Sequence, residues 1–244
     1  HEVEGLERIR FVTNYPGDFT DDILEAMRDL PKVCEYLHLP VQSGSNAVLR
    51  RMRRQYTIEG YLDLIERARA EIPGLTLATD FIVGFCGETE AEHEASIALI
   101  DRCRFKNIFV FKYSPRPGTV ADKRNPDDVP GEVKKRRNLE LLKLQEAISL
   151  EANRKLIGKT FEVLVEGNSK AALKAQEDEQ TRGEEVGWRT STQLVGRTRG
   201  DQIVVFEGGP EHIGQLRTVR VSAATALTLH GVISGPYAGR LQQP

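Results

Sequence analysis

Three stretches of the chain combine side chains able to hold a polar ligand with the backbone freedom that such a ligand needs. His38-Leu39-Pro40-Val41-Gln42-Ser43-Gly44-Ser45 sets an amide, two hydroxyls and a glycine directly after an apolar run. A capped strand-to-helix turn accounts for that composition; so does a ring of donors and acceptors for a ligand such as a ribose. Thr79-Asp80-Phe81-Ile82-Val83-Gly84-Phe85-Cys86-Gly87-Glu88-Thr89-Glu90 places a carboxylate among strand-forming residues and follows it with two glycines, which can adopt backbone conformations closed to other residues. Asp80 needs partners in such surroundings, and either ligand hydroxyls or a neighbouring lysine would supply them. Phe109-Val110-Phe111-Lys112-Tyr113-Ser114-Pro115-Arg116-Pro117-Gly118-Thr119 joins aromatics and cations to a stiff loop. Its strand aromatics read as core, whereas Arg116, held between two prolines, is not explained by packing.

These stretches are positioned by alternating strand-like and helix-like runs, the pattern of βα units around a parallel sheet. Strands are expected at residues 8–13, 35–40, 75–85 and 107–113, and ligands of parallel α/β folds gather at the carboxyl ends of such strands. Helices are expected from about Thr20, after Ser45 or Asn46, after Thr57 and after Thr89, each opened by a capping residue. Residues 114–119 form a loop, since proline cannot extend a central strand. A long helix over about 130–156 carries Val133, Leu139, Leu142, Leu144 and Ile148 at helical spacing. Beyond Gly158, strand-like runs at 161–165, 192–195, 203–206, 216–221 and 226–229 follow one another without helices, the signature of a small five-stranded barrel. Residues 168–187 between the first two read as a long loop or a short exposed helix. The expected domains are 1–157, 158–233 and a tail, 234–244. Four strands cannot close an eight-stranded barrel, so the chain is expected to be a piece lacking its leading βα units.

At 244 residues and 39% hydrophobic content, the chain can bury a sizeable core. No run approaches the roughly 20 apolar residues of a membrane span and no leader peptide is legible, so a cytoplasmic protein without a membrane partner is expected. Cys34, Cys86 and Cys103 lack metal-ligand spacing, so no metal site is expected in the chain itself. A net charge of −2 gives no overall pull toward nucleic acid. Asp80 and Glu88 do not form an acid–base pair that spacing supports, which leaves a hydrolase without a basis.

In order and spacing these segments resemble the radical S-adenosylmethionine methylthiotransferases, nearest the MiaB-type tRNA enzymes. The resemblance is carried by residues 8–13 with Asp18-Phe19, residues 38–45, Tyr56-Thr57, residues 79–89 and residues 111–119. Phe161-Glu162-Val163-Leu164-Val165-Glu166-Gly167 and Gly196-Arg197-Thr198-Arg199 resemble the TRAM domain of that family. It implies an α/β fold, a partial parallel (β/α) half-barrel of TIM-barrel type followed by a small all-β, oligonucleotide-binding-like barrel. It also implies S-adenosylmethionine and two [4Fe-4S] clusters in the full-length enzyme, whose cysteine triads are absent here, together with an electron donor. The fragment alone is expected to be inactive and to carry no catalytic residue of its own. By resemblance, Gln42 and Ser43 fall near the cofactor ribose, Asp80, Val83 and Gly84 beside the cofactor, and Tyr113 and Ser114 at its adenine. Cys86 stands where the family would have proline and is taken as a tolerated small residue; Cys34 is taken as a buried strand thiol.

The implied partner is tRNA at its anticodon stem-loop, and the implied product is 2-methylthio-N6-isopentenyladenosine. From Gly158 onward ten Lys/Arg balance ten Asp/Glu, but the acids gather in 177–185, while Arg197, Arg199, Arg217 and Arg220 lie in or beside expected strands. Arg116, Arg197, Arg199 and Arg217 are the expected phosphate contacts, and Trp188 and Phe206 the expected stacking surfaces. Arg50, Arg51, Arg53 and Arg54 form another cationic run, which a solvated helix face would equally explain. Alternatives within the family are threonylcarbamoyladenosine in tRNA or a ribosomal-protein aspartate as substrate; outside it, a non-catalytic RNA-binding relative.

Overall fold

The computed structural model describes residues 1–12, 15–174 and 192–236, which fall into two compact units, His1–Ser149 and Leu150–Pro244. In chain order the first contains α1 (Asp21–Asp29), β1 (Tyr36–His38), α2 (Asn46–Arg51), α3 (Ile58–Glu71), β2 (Thr76–Val83), α4 (Glu90–Cys103), β3 (Asn107–Lys112), α5 (Val120–Arg124) and most of α6 (Gly131–Arg154). The three strands pair in parallel in the order β1-β2-β3, with Leu37 opposite Leu77 and Asp80 opposite Phe109. Strand alternation divides their side chains between two faces. Leu37, Leu39, Leu77, Phe81, Val83 and Ile108 join the helices in one core, while Phe109 and Phe111 on the other face are 44% and 54% exposed. These two aromatics are therefore not core residues, contrary to the sequence expectation.

Among the described residues, 8–12 of the stretch expected as a strand at 8–13 do not form one. Ile9 makes a single bridge to Val33, through Ile9 N–H to Lys32 O and Cys34 N–H to Ile9 O. Its partner is a turn entering β1, which offers no extended ladder. Helix starts follow their caps: Ser45 accepts from Val48 N–H, Thr57 from Gly60 N–H, and Thr89 with Glu92 closes a reciprocal capping box. Helix α5, beyond the proline-rich loop, was not legible from its five residues.

Helix α6 departs from its apolar pattern. Lys134, Arg137, Leu141, Gln145, Ile148 and Ser149 are its buried residues, whereas Leu139 and Leu142 are exposed. The face at 134, 137, 141, 145 and 148 packs inward because its cations find partners there: Lys134 on Asp127 and Arg137 on Glu88.

The second unit is a closed five-stranded barrel, ordered β4-β5-β6-β8-β7, from β4 (Thr160–Asn168), β5 (Gln193–Arg197), β6 (Ile203–Glu207), β7 (Leu216–Ala224) and β8 (Thr228–Pro236). Val163, Val165, Leu194, Val204, Phe206, Val219, Val221 and Leu229 fill it. Strand β8 extends well past the apolar run 226–229 because Gly231 allows close packing: a Cβ there would lie 2.6 Å from the Arg220 carbonyl oxygen. Gly196 is similar, with the Leu164 carbonyl oxygen 2.4 Å from where its Cβ would be. A helical turn begins at Lys170, inside the stretch expected as loop or short helix.

Candidate functional site

Asp80 lies on the open face of β2 with its side chain 22% exposed, and its Oδ1 is 2.9 Å from Nε2 of His38 on β1. The protein partner is thus a histidine rather than a lysine, which leaves the ligand-hydroxyl alternative open. His38 also meets Phe109 edge to face, at 5.8 Å between centroids. Strand register produces this cluster, since His38, Asp80 and Phe109 occupy same-face positions on three adjacent strands. His38 lies inside a stretch singled out by sequence, and alternation along β1 was the signal that could have matched it to Asp80.

Gln42 prolongs the pairing of β1: its N–H donates to Asp80 O at 2.8 Å and its carbonyl accepts from Ile82 N–H at 2.9 Å. It does so in a left-handed conformation, φ 72°, which costs a non-glycine residue of order 1 kcal/mol or more and recurs at functional sites. Ser43 is buried, and its hydroxyl accepts from Ser45 N–H. Gly44 serves packing: a Cβ would stand 2.4 Å from the Ala95 carbonyl oxygen, and its N–H donates to Ser96 Oγ.

Val83 turns its side chain into the core, and its carbonyl accepts from Tyr113 N–H at 2.9 Å. Gly84, at φ 70°, gives its N–H to Glu88 Oε2 at 2.6 Å, and a Cβ there would strike the Lys134 stem at 2.3 Å. Glu88 in turn receives Arg137 Nη1 at 2.8 Å, the two side chains being 1% and 4% exposed. Burial pushes the Glu88 carboxyl above the ordinary range, against the pull of the Gly84 N–H and of Arg137. Glu88 is thus an anchor of the β2–α4 loop. Lys134 and Arg137, 50 and 53 residues beyond Gly84, gave no local sequence signal for this role.

Tyr113 packs edge to face on Phe85 at 4.8 Å and lies under Lys134 Nζ at 5.3 Å from its ring centroid. Burial, then the neighbouring Cys86, Asp127 and Asp122, push its hydroxyl up to about 12. Ser114 and Arg116 are exposed in the following loop, where Thr119 Oγ1 donates to the Arg116 carbonyl. Cys34, Cys86 and Cys103 are all buried, and among the described residues no group of three or more His, Cys, Asp or Glu can hold a metal ion.

On the barrel, Arg197 pairs with Asp201 at 2.8 Å and Glu166 at 3.3 Å. Arg199 occupies the turn after β5, and Arg217 Nε donates to His212 Nδ1. Phe206 is not a stacking surface: alternation along β6 sends it with Val204 into the barrel core, where it is 2% exposed. Trp188 lies outside the described residues.

Residues 2–100 match the Radical SAM superfamily and residues 184–233 the TRAM domain. Over 95% of its length the chain is 51% identical to a protein of Rhodopirellula baltica named tRNA-2-methylthio-N(6)-dimethylallyladenosine synthase, covering 46% of that protein. It is 44% identical to a Thermoanaerobacter protein of the same name, again over 95% of this chain and 45% of the relative. The chain therefore spans about half the length of the curated relatives it matches. Coproporphyrinogen III oxidase of Escherichia coli, described as a radical SAM enzyme, superposes on 63% of this chain and 38% of its own, with a TM-score of 0.48 and 18% identity. An open parallel sheet with ligand-type residues at its carboxyl end, followed by a closed five-stranded barrel, agrees with the two domain matches: residues 2–100 are similar to the Radical SAM superfamily and residues 184–233 to the TRAM domain.

Proposed function

We propose that the chain belongs to a cytoplasmic enzyme that adds a methylthio group to C2 of N6-dimethylallyladenosine beside the tRNA anticodon by radical SAM chemistry. What carries this reading is the 51% identity over 231 residues to a protein named for that product. The reading assigns S-adenosylmethionine, two [4Fe-4S] clusters and an electron donor to the full-length enzyme. The described residues of this chain do not fit a cluster: its three cysteines are buried and separate.

The open sheet face does fit S-adenosylmethionine. Asp80 is a carboxylate fixed by His38 and still partly exposed, suited to accept from ribose hydroxyls. Gln42, Gly84 and Ser114 surround the same strand ends, Ser43 supports the first turn from beneath, and Val83 and Tyr113 contribute backbone, the Tyr113 ring lining the cavity beside α2 instead. One S-adenosylmethionine bound here would supply the hydrogen-abstracting chemistry, and a second would supply the methyl group. The protein's share is to orient it, to screen the reacting carbon from water with Phe109 and Phe111, and to hold the tRNA. On the barrel, Arg199 and Arg217 are the proposed phosphate contacts, with Arg197 shared between RNA and its two acids.

The test is binding of the chain to an anticodon stem-loop, with and without the isopentenyl group, against a scrambled hairpin across a salt series. Salt-sensitive preference for the stem-loop supports tRNA, and preference for the isopentenyl form supports the substrate. Equal binding to the scrambled hairpin overturns the reading for this chain.

A further inference from the structure

A cavity of about 400 Å3 opens where α2 ends, bounded by the β2–α4 loop and α5. Its wall is Arg50, Arg51, Arg53 and Arg54, and its floor includes Phe85 and Tyr113. Among the described residues no carboxylate lines it. Arg51 is committed, with both Nη atoms on Glu92 at 3.0 and 2.8 Å and Nε on the Cys86 carbonyl. Arg50, Arg53 and Arg54 meet no acid among the described residues, and Arg54 Nε is buried without a hydrogen-bond partner.

Backbone geometry concentrates these charges. Arg53 N–H bonds to Arg50 O and Arg54 N–H to Leu49 O, closing a turn in which Arg53 adopts φ 58°. A bulky residue held in the left-handed region is an outlier that the surrounding structure must maintain. Three uncompensated guanidiniums on one turn repel one another, and a polyanion removes that repulsion. The acids nearest Tyr113 are bound elsewhere: Asp127 to Lys134, and Asp122 to the Gly118 N–H. Beneath the arginines, Tyr113, backed edge to face by the buried Phe85, offers a ring surface whose hydroxyl stays protonated at neutral pH.

We propose that this cavity binds a single-stranded stretch of RNA, its phosphodiesters on Arg50, Arg53 and Arg54 and one base or ribose against the Tyr113 ring. The inference rests on the RNA-modifying reading above and assigns it a second anchor, separate from the barrel. A volume of this size suits one nucleotide rather than a duplex. Arginine with an aromatic floor is the chemistry of sequence-tolerant strand binding.

The whole chain is titrated with a labelled anticodon stem-loop from about 50 to 200 mM salt, beside the variant R50Q/R53N/R54Q. Asparagine is chosen at 53 because it tolerates the left-handed region. Each lost phosphate contact lowers the single-strand salt slope by about 0.7, so three lower it by about 2. Over that fourfold salt range wild type is expected to lose roughly 20-fold more affinity than the variant. A control, K135Q/K143Q, removes two charges from the outer face of α6 and should leave the slope near wild type. A probe with uncharged methylphosphonates in the loop should erase the difference between wild type and the triple variant.

Matching thermal melts establish that the triple variant is folded. An unchanged slope in that folded variant, or an equal fall in the control, overturns the cavity assignment while leaving the RNA reading intact. If the slope effect persists but the scrambled hairpin binds equally well, the substrate reading fails and the cavity stands. No binding by wild type overturns both.

Discussion

Replacing Arg137 by methionine tests whether the β2–α4 loop is held by a buried charge pair. In the wild type, Glu88 Oε2 receives both Arg137 Nη1 and the Gly84 N–H, and Arg137 also reaches the Glu88 carbonyl at 3.0 Å and Glu90 at 3.0 Å. Removing the guanidinium leaves a carboxylate at 1% side-chain exposure with one backbone donor. Breaking such a pair costs about 3–5 kcal/mol, against a total domain stability of about 5–15 kcal/mol. At an m-value of about 2 kcal/mol per molar, the urea midpoint at pH 7 should fall by roughly 2 M. The loss should also depend on pH in a defined direction. The folded-state carboxyl of Glu88 is already raised by burial, and losing Arg137 raises it further. A raised acid favours folding below its unfolded value, and that contribution is lost as pH rises through the folded value. The R137M deficit is therefore largest at neutral pH and shrinks as pH falls toward the ordinary glutamate range. Adding E88Q, which keeps an acceptor for Gly84 N–H, should make the double variant less destabilised than the sum of the singles by about 2 kcal/mol. A loss below about 1 kcal/mol at pH 7, a pH-independent deficit, or strict additivity would refute the argument.

Gly84→Ala places a side chain at φ 70° against the Lys134 stem, so a loss of more than about 1 kcal/mol is expected in urea melts, with a weaker hold on the Tyr113 carbonyl that Lys134 Nζ contacts. Phe206→Ala should cost about 3–5 kcal/mol of barrel stability, because it empties a closed core; a variant with an unaltered melt and weakened RNA binding would show that the ring is a recognition surface after all. Thr89→Ala removes the side chain that closes the α4 capping box and should cost about 1 kcal/mol by thermal or urea unfolding, while Thr76→Ala, which leaves every helix cap in place, should not show that capping loss. Burial pushes the Cys103 thiol up to about 11, so alkylation followed by mass spectrometry at pH 8 should leave it unmodified in the native chain and label it in urea; rapid native labelling would contradict its placement.

Much of this molecule is written locally. Caps at Ser45, Thr57 and Thr89 start helices wherever they occur, because a side-chain oxygen two or three residues from an orphan N–H needs no tertiary help. The change from mixed runs to consecutive strand-like runs after Gly158 likewise announced the barrel, and the ordered segments from 38 onward announced the similarity that the Radical SAM match over residues 2–100 reports. Tertiary structure decided what those segments do. Sequence placed a carboxylate at 80, but only the register of β1 on β2 gave it His38. Apolar spacing on α6 suggested a stripe through Leu139 and Leu142, yet Lys134 and Arg137 are buried instead, because Asp127 and Glu88 arrive from elsewhere in the chain to neutralise them. Phe206 and Phe109 exchanged their expected roles for a similar reason: an aromatic in a strand has a face fixed by alternation, but which face is covered depends on what packs there. Local chemistry fixes the elements over a few residues, whereas burial, charge compensation and the shape of a cavity are sums over groups far apart in sequence.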